Sequence, residues 1–172
     1  MTFRLVVVAF LMLLAPPAPA QNAAVPVPVE LPRLQAGEPV LKVGATGART
    51  VFSPADLEAL PLHRVTTSTF WPADDGTYEG PLLADVLKRA GLGDAAAVKA
   101  TARDGFSQVI PGRDWTRWPI LVATRRDGKP MAVRDKGPLR IIYPRDMDKE
   151  LHDTIYRLRW VWLLESLEPA SP

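Results

Sequence analysis

Aromatic and charged side chains stand out in four short segments that lie in predicted loops or at the ends of predicted strands. The segments are Trp71, residues 104–106 (Asp-Gly-Phe), residues 113–115 (Arg-Asp-Trp) and residues 134–138 (Arg-Asp-Lys-Gly-Pro). Planar aromatic rings stack on flat ligands, and an aspartate that faces a guanidine-like edge can accept two parallel hydrogen bonds. These residue types therefore indicate a site for a flat ligand with such an edge.

Packing is the alternative interpretation of several of these residues. Four tryptophans are predicted to lie in the core or to pack on the surface, because aromatic side chains dominate protein cores. They are Trp115, Trp118, Trp160 and Trp162. On charge alone, residues 134–136 suit a solvated loop equally well. Asp127 and Gly128 are typical of a turn.

Catalysis by the protein's own groups has little support in the sequence. The chain has no cysteine, which excludes a thiolate nucleophile, a disulfide and a thiolate-bound metal. His63 and His152 stand in neither a His-x-x-x-His nor a His-x-x-Glu context. No Gly-x-Ser-x-Gly motif and no glycine-rich turn for phosphate or dinucleotide are found. We therefore expect neither a catalytic residue nor a metal ligand.

The first twenty residues have the pattern of a cleaved signal peptide. Arg4 precedes an apolar run over residues 5–15, and residues 18–20 read Ala-Pro-Ala. The run is shorter than the ~20 residues that span a bilayer. We expect cleavage after Ala20 and a mature protein outside the cytoplasm, in the periplasm if the source is Gram-negative.

About 150 residues then remain, enough for one domain with its own core. Residues 21–39 are rich in proline, alanine and valine and predict an extended arm. The domain is expected over residues 40–168, with a short tail at 169–172. The net charge is +2, and acidic and basic residues are interleaved. Because nucleic-acid binding needs a one-sided basic stripe, this distribution argues against it.

Local signals predict an α+β fold. A hairpin is predicted from strands at 40–43 and 49–52, followed by a helix that Ser53 and Asp56 cap and Pro61 ends. In residues 81–90 the apolar side chains recur at the spacing of one face of a helix, so a helix is predicted there that ends at Gly91. Further strands are expected at 63–71, 97–103, 106–110, 120–124, 139–143 and 159–164, with a loop at 72–80 and a polar helix at 148–156. Strands adjacent in sequence favour α+β over a doubly wound sheet.

The order of several motifs resembles the sulfite-oxidase-type molybdopterin-binding fold. The motifs lie at residues 52–61, 65–67, 78–87, 102–106, 127–130 and 135–144. The last motif, Gly-Pro followed by a strand and Tyr-Pro, is the most specific. The resemblance extends from about Val40 to Leu167 and implies a single α+β domain of mixed sheets with a few short helices.

In molybdenum enzymes of that family, a cysteine in the loop after the threonine-rich strand ligates the metal. Here residues 66–71 read Thr-Thr-Ser-Thr-Phe-Trp. An alkoxide is far less available than a thiolate at neutral pH, so serine or threonine is a poor substitute. The chain is also shorter than those enzymes and lacks their second domain.

The sequence is more similar to a small, exported, cysteine-free branch of this fold. Its members bind reduced pterins and pass the signal to a membrane-bound partner, in known cases a regulator of cyclic-di-GMP turnover. For this chain the resemblance implies that Trp71 or Phe106 stacks on the bicyclic ring. It also implies that Asp104 accepts hydrogen bonds from the amino-pyrimidine edge.

The resemblance implies further contacts around the same ligand. Lys136 and the backbone of Gly137 would meet its oxygens, with Arg113 and Arg134 at the mouth. Arg140 stands where some relatives carry tryptophan. Two alternatives stay open: a molybdopterin-dependent oxidoreductase with a non-cysteine metal site, and an interaction protein whose pocket is filled by side chains.

Overall fold

The computed structural model describes residues 24–172, so the predicted signal peptide lies outside the described residues. The strands are β1 Val27–Pro28, β2 Leu41–Ala45, β3 Ala48–Phe52, β4 Leu62–Thr67, β5 Gly76–Pro81, β6 Ala97–Ala102, β7 Ser107–Pro111, β8 Leu121–Ala123, β9 Arg125–Arg126, β10 Lys129–Pro130, β11 Arg140–Ile142 and β12 Leu164–Ala170. The α-helices are α1 Pro54–Glu58, α2 Leu83–Arg89 and α3 Gly112–Arg117. Over residues 24–172, no helix is long and apolar enough to cross a membrane.

Two five-stranded sheets and one strand pair make up the fold. One sheet has the order β3-β2-β12-β6-β7, in which β12 pairs in parallel with β2 and antiparallel with β6. The other sheet has the order β1-β4-β5-β9-β10, and β8 pairs with β11 separately. Mixed sheets with short helices confirm the predicted α+β class.

One buried cluster joins the two large sheets. It includes Val43 and Leu167 from one sheet and Val65 and Tyr78 from the other, each at most 1% exposed. Near the strand pair the backbones approach so closely that Gly80 has no room for a side chain. A Cβ atom there would lie 2.2 Å from the carbonyl oxygen of Val122.

Two of the three helices predicted from sequence form where expected. Ser53 and Asp56 cap each other reciprocally at the start of α1, which confirms the capping box. In α2, Leu83, Val86 and Leu87 are fully buried. The amide of Leu83 donates to the carbonyl of Ile120, so this helix begins against the strand pair.

Several predicted elements differ from the structure. The strand expected at 63–71 ends at Thr67, and the loop expected at 72–80 contains a 3-10 helix, Pro72–Asp74, and strand β5. The polar helix expected at 148–156 is two 3-10 helices, Lys149–His152 and Thr154–Arg159.

The prediction of a last strand at 159–164 was also wrong, because β12 begins only at Leu164. Trp160 and Val161 are buried by packing without a strand ladder. The segment at 113–115, treated as a loop, lies in α3.

The segment before the domain packs along its edge. β1 pairs with β4, and the amide of Val29 donates to the carbonyl of Leu62. Further along, the amide of Leu34 donates to Glu58 Oε2 at 3.1 Å. Arg125, from β9, donates both to Glu58 and to the carbonyl of Pro32. A buried ion pair thus ties this segment to α1 and β9.

Candidate functional site

A cavity of about 250 Å³ opens between the β6–β7 turn and the segment that precedes β12. Its lining residues are Trp71, Ala102, Asp104, Phe106, Arg157, Leu158, Trp160 and Trp162. Three of the residues that the sequence singled out, Trp71, Asp104 and Phe106, therefore lie around one cavity. Four of the eight lining residues are aromatic, which suits a flat ligand.

The turn between β6 and β7 positions Asp104 and Phe106. Asp104 Oδ1 accepts a hydrogen bond from the amide of Phe106 at 3.1 Å, and the carbonyl of Phe106 accepts from the amide of Ala102 at 2.8 Å. The amide of Arg103 donates to the carbonyl of Leu163, next to Trp162. Backbone hydrogen bonds thus fix the turn against the tryptophan segment.

Trp71 is held by the loop that follows β4. Thr69 Oγ1 donates to the carbonyl of Trp71 at 2.6 Å, and the amide of Trp71 returns a hydrogen bond to that oxygen at 3.0 Å. The ring of Trp71 meets that of Trp162 edge-on, with centroids 4.6 Å apart. The guanidinium of Arg157 lies over the Trp71 ring at 5.3 Å.

Trp160, Trp162 and Arg157 are lining residues that the sequence analysis missed. Trp160 is only 3% exposed and stacks on Tyr143 at 6.3 Å, so its predicted packing role is confirmed while it also lines the cavity. The spacing of Trp160 and Trp162 is the sequence signal that could have indicated a shared role. Two residues separated by one position lie on the same face of an extended chain.

The charges that line the cavity are one of each sign. Asp104 contributes a carboxylate and Arg157 a guanidinium. Asp104 can accept from a ligand that carries adjacent N–H groups, because ionised carboxylates accept such paired hydrogen bonds strongly. The rim adds apolar surface, since Phe106 and Leu158 are 41% and 57% exposed.

Lys136 and Arg140 lie behind the cavity wall. Lys136 Nζ sits 4.0 Å from the ring centroid of Trp162, and Arg140 Cζ sits 5.6 Å from it. Both cations bind the carboxylate of Asp74, a buried residue that the sequence analysis did not select. They contact a lining residue without lining the cavity themselves.

Gly137 is explained by close packing. A Cβ atom there would lie 2.3 Å from the carbonyl oxygen of Met131, and its amide already donates to the carbonyl of Ala132. Arg134 lines a separate depression, with its side chain 87% exposed. Arg113, on α3, lines another beside the C-terminus. The structure does not bring Gly137, Arg134 or Arg113 to the aromatic cavity.

The loop at residues 66–71 does not fit a molybdenum ligand set. The hydroxyl of Thr67 donates to the carbonyl of Ser68, and that of Thr69 donates to Trp71. The hydroxyl and amide of Ser68 both donate to Asp146. Among residues 24–172 no group of three or more His, Cys, Asp or Glu side chains is placed to hold a metal ion. The hydroxyl oxygens here serve the fold.

Asp146 therefore anchors the loop at residues 66–71. The family resemblance implies that this loop corresponds to the one that carries the metal ligand in the molybdenum enzymes. Burial alone would raise the pKa of this carboxyl, but hydrogen bonds from the hydroxyl and amide of Ser68 outweigh it and lower the pKa. Arg145 also donates to the Ser68 hydroxyl. The carboxylate of Asp146 thus holds the loop through its hydrogen bonds with Ser68, and the charges of Arg145 and His152 add to the lowering of its pKa.

The sequence matches the family described as oxidoreductase molybdopterin binding domain over residues 30–148. The chain therefore belongs to that family. A comparison with curated protein sequences finds no match.

Among solved structures, the chain is similar to the sulfane dehydrogenase SoxCD from Paracoccus pantotrophus, with a TM-score of 0.57 and 14% identity. The match covers 77% of this chain and 38% of that one. This likeness confirms the sulfite-oxidase-like fold.

Proposed function

We propose that this chain is a periplasmic binding module for a reduced pterin without molybdenum. The observation that carries the proposal is the cavity lined by Trp71, Phe106, Trp160 and Trp162, with the carboxylate of Asp104 at its edge. A pterin is flat and presents an amino-pyrimidine edge with adjacent N–H donors. Stacking on the rings and paired hydrogen bonds to Asp104 would satisfy both features.

The size of the cavity supports a small ligand. At about 250 Å³ it lies below the range of ~300–1,000 Å³ that is usual for drug-sized ligands. A bicyclic ring with a short side chain suits this volume better than a pterin that carries a metal centre.

Signal transfer is the second half of the proposal. The module would pass its ligand state to the periplasmic domain of a membrane-bound signalling protein, such as a regulator of cyclic-di-GMP turnover. Family resemblance and the apolar rim at Phe106 and Leu158 support a partner that contacts the mouth of the cavity.

A molybdopterin-dependent oxidoreductase is the competing function, and family membership favours it. The loop chemistry opposes it, because the chain has no cysteine and the hydroxyls of Thr67, Ser68 and Thr69 already bond to the protein. The interaction-protein alternative predicts that no pterin binds at all.

Titration of the mature domain with dihydroneopterin under reducing, anaerobic conditions tests the proposal. Three tryptophans line the cavity, so bound pterin should quench their fluorescence along a saturable curve. Calorimetry should give one site per chain. An unsaturable fluorescence change with no heat of binding would contradict pterin binding and favour the interaction protein.

A further inference from the structure

Three cations beside the aromatic cavity converge on one carboxylate. Asp74 Oδ2 contacts Lys136 Nζ and lies 3.2 Å from Arg140 Nη2, while Oδ1 lies 3.6 Å from Arg126 Nη1. Asp74 is 4% exposed, and Arg140 is fully buried. Clusters of arginine and lysine with this spacing are what proteins use to bind phosphate. Here a side chain of the same chain fills the position of the anion.

The cation cluster and the cavity share a wall. The Trp162 ring lines the cavity and also contacts Lys136 and Arg140. Asp74 follows closely after Trp71, and its amide donates to the carbonyl of Trp71 at 2.7 Å. The ring of Trp162 lies between the cavity and these cations, so an anionic tail on a ligand would have to pass this ring and displace Asp74 to reach them.

The cluster holds more donors than Asp74 uses. Arg140 Nε and Nη1 are buried and have no hydrogen-bond partner within the described chain, whereas Arg126 Nε lies 3.5 Å from Asp127 Oδ2. A phosphate would offer more acceptor oxygens than the two of a carboxylate. Because Asp74 occupies the position, it offsets part of the positive charge of the three cations, and a phosphate could enter only by displacing it.

The cavity itself adds to this discrimination. Asp104 would repel a phosphate on the ligand, and Arg157, the one cation that lines the cavity within residues 24–172, is stacked on Trp71. Arg103 stands in the β6–β7 turn with an exposed side chain. Other basic groups near the wall include those that bind Asp74, and Arg145, which lies over Phe70.

We propose that Asp74 is a specificity-determining residue: it occupies the cation cluster of Arg126, Lys136 and Arg140 as an internal anion, so that the cavity accepts pterins that lack a phosphate. This inference rests on the proposed pterin binding. Asp74 would select the side chain of the pterin, whereas Asp104 and the aromatic rings would bind its bicyclic ring.

The test compares dihydroneopterin with its phosphate monoester on the wild-type mature domain. We expect the unphosphorylated compound to bind at least about tenfold more tightly, because the phosphate of the ester would have to displace Asp74 from its three cations and leave that carboxylate without partners. Equal affinities, or tighter binding of the ester, would overturn the role of Asp74 and leave pterin binding intact. Failure of both compounds to bind would contradict the proposed function and this inference with it.

The Asp74→Asn variant tests the residue directly. Without the carboxylate, the discrimination against the ester should fall to near parity, and inorganic phosphate should raise the melting temperature of the variant more than that of the wild type. Asp94→Asn, a change at an exposed position, is the matched control. Unchanged discrimination in Asp74→Asn would overturn the inference. If the variant does not fold, Asp104→Asn separates the two carboxylates: discrimination that persists in this variant supports the role of Asp74, and discrimination that disappears overturns it.

Discussion

Asp104 is the residue on which ligand recognition depends most directly in this account. Its Oδ1 atom is oriented by the amide of Phe106, so the carboxylate is held at the cavity wall before a ligand arrives. This preorganisation matters because fixing a side chain on binding costs about 0.5–1.5 kcal/mol.

Replacing Asp104 by asparagine should weaken pterin binding by roughly ten- to a hundredfold, since a hydrogen bond to a charged group contributes about 1.5–3 kcal/mol. Titration of tryptophan fluorescence measures the effect. Asp94→Asn removes the same charge at an exposed position and should bind as the wild type does. Equal affinity of Asp104→Asn and wild type would remove Asp104 from the site.

The sequence indicated some of the residues at the candidate site but not others. Trp71, Asp104 and Phe106 were selected by residue type and by resemblance, and they line one cavity. Asp74 was not selected, because nothing in the sequence around it indicates three cations that approach from residues 126, 136 and 140. Such clusters depend on tertiary structure that spacing along the chain does not carry.

At the scale of elements, the sequence predicted correctly those helices and strands whose ends are determined by neighbouring residues, such as a capping box or a tight turn. The capping box begins α1, and a tight turn joins β2 to β3. Strand β5 was missed because Gly76, Gly80 and Pro81 are typical of loops. Its glycine at position 80 is needed where the backbone of Val122 passes, a contact that is visible only in the folded chain.

The ion pair between Glu58 and Arg125 connects α1, β9 and the segment that contains Leu34. Burial alone would raise the pKa of Glu58, but hydrogen bonds from Arg125, Thr124 and the Leu34 amide outweigh it and lower the pKa. A lowered folded-state pKa stabilises the protein above the unfolded pKa of Glu58. That stabilisation is lost as the pH falls through the folded value.

Glu58→Gln should therefore destabilise the domain at neutral pH by about 3–5 kcal/mol, because it leaves Arg125 buried without its partner. Urea unfolding between neutral pH and about pH 3 measures the effect. The difference between wild type and variant should shrink on acidification. A difference that does not change with pH would show that the charge of Glu58 contributes nothing to it. Glu38→Gln, at an exposed position, is the control.

At the scale of the whole molecule, the chain has the family's fold and spans 38% of the SoxCD chain that it matches. Its loop at residues 66–71 is anchored on Asp146. The cavity walls come from the β6–β7 turn, the loop after β4 and the 3-10 helix before β12. Because these three parts meet only in the folded domain, ligand binding and folding should be coupled.

A bound pterin should raise the stability of the domain accordingly. At a hundred times its dissociation constant a ligand adds about 2.7 kcal/mol. For a domain of this size that corresponds to a rise in melting temperature of roughly 5–11 °C. Differential scanning calorimetry with and without dihydroneopterin measures it. A melting temperature that is independent of pterin concentration would contradict specific binding.

The most direct test of the central claim is the composition of the protein as a cell exports it. The mature domain, produced with its own signal sequence and purified without added ligand, is denatured and examined by mass spectrometry and by elemental analysis. We expect a pterin in the released fraction and molybdenum far below one equivalent per chain. Molybdenum near one equivalent would contradict it and establish the chain as a molybdopterin protein of the enzymatic kind.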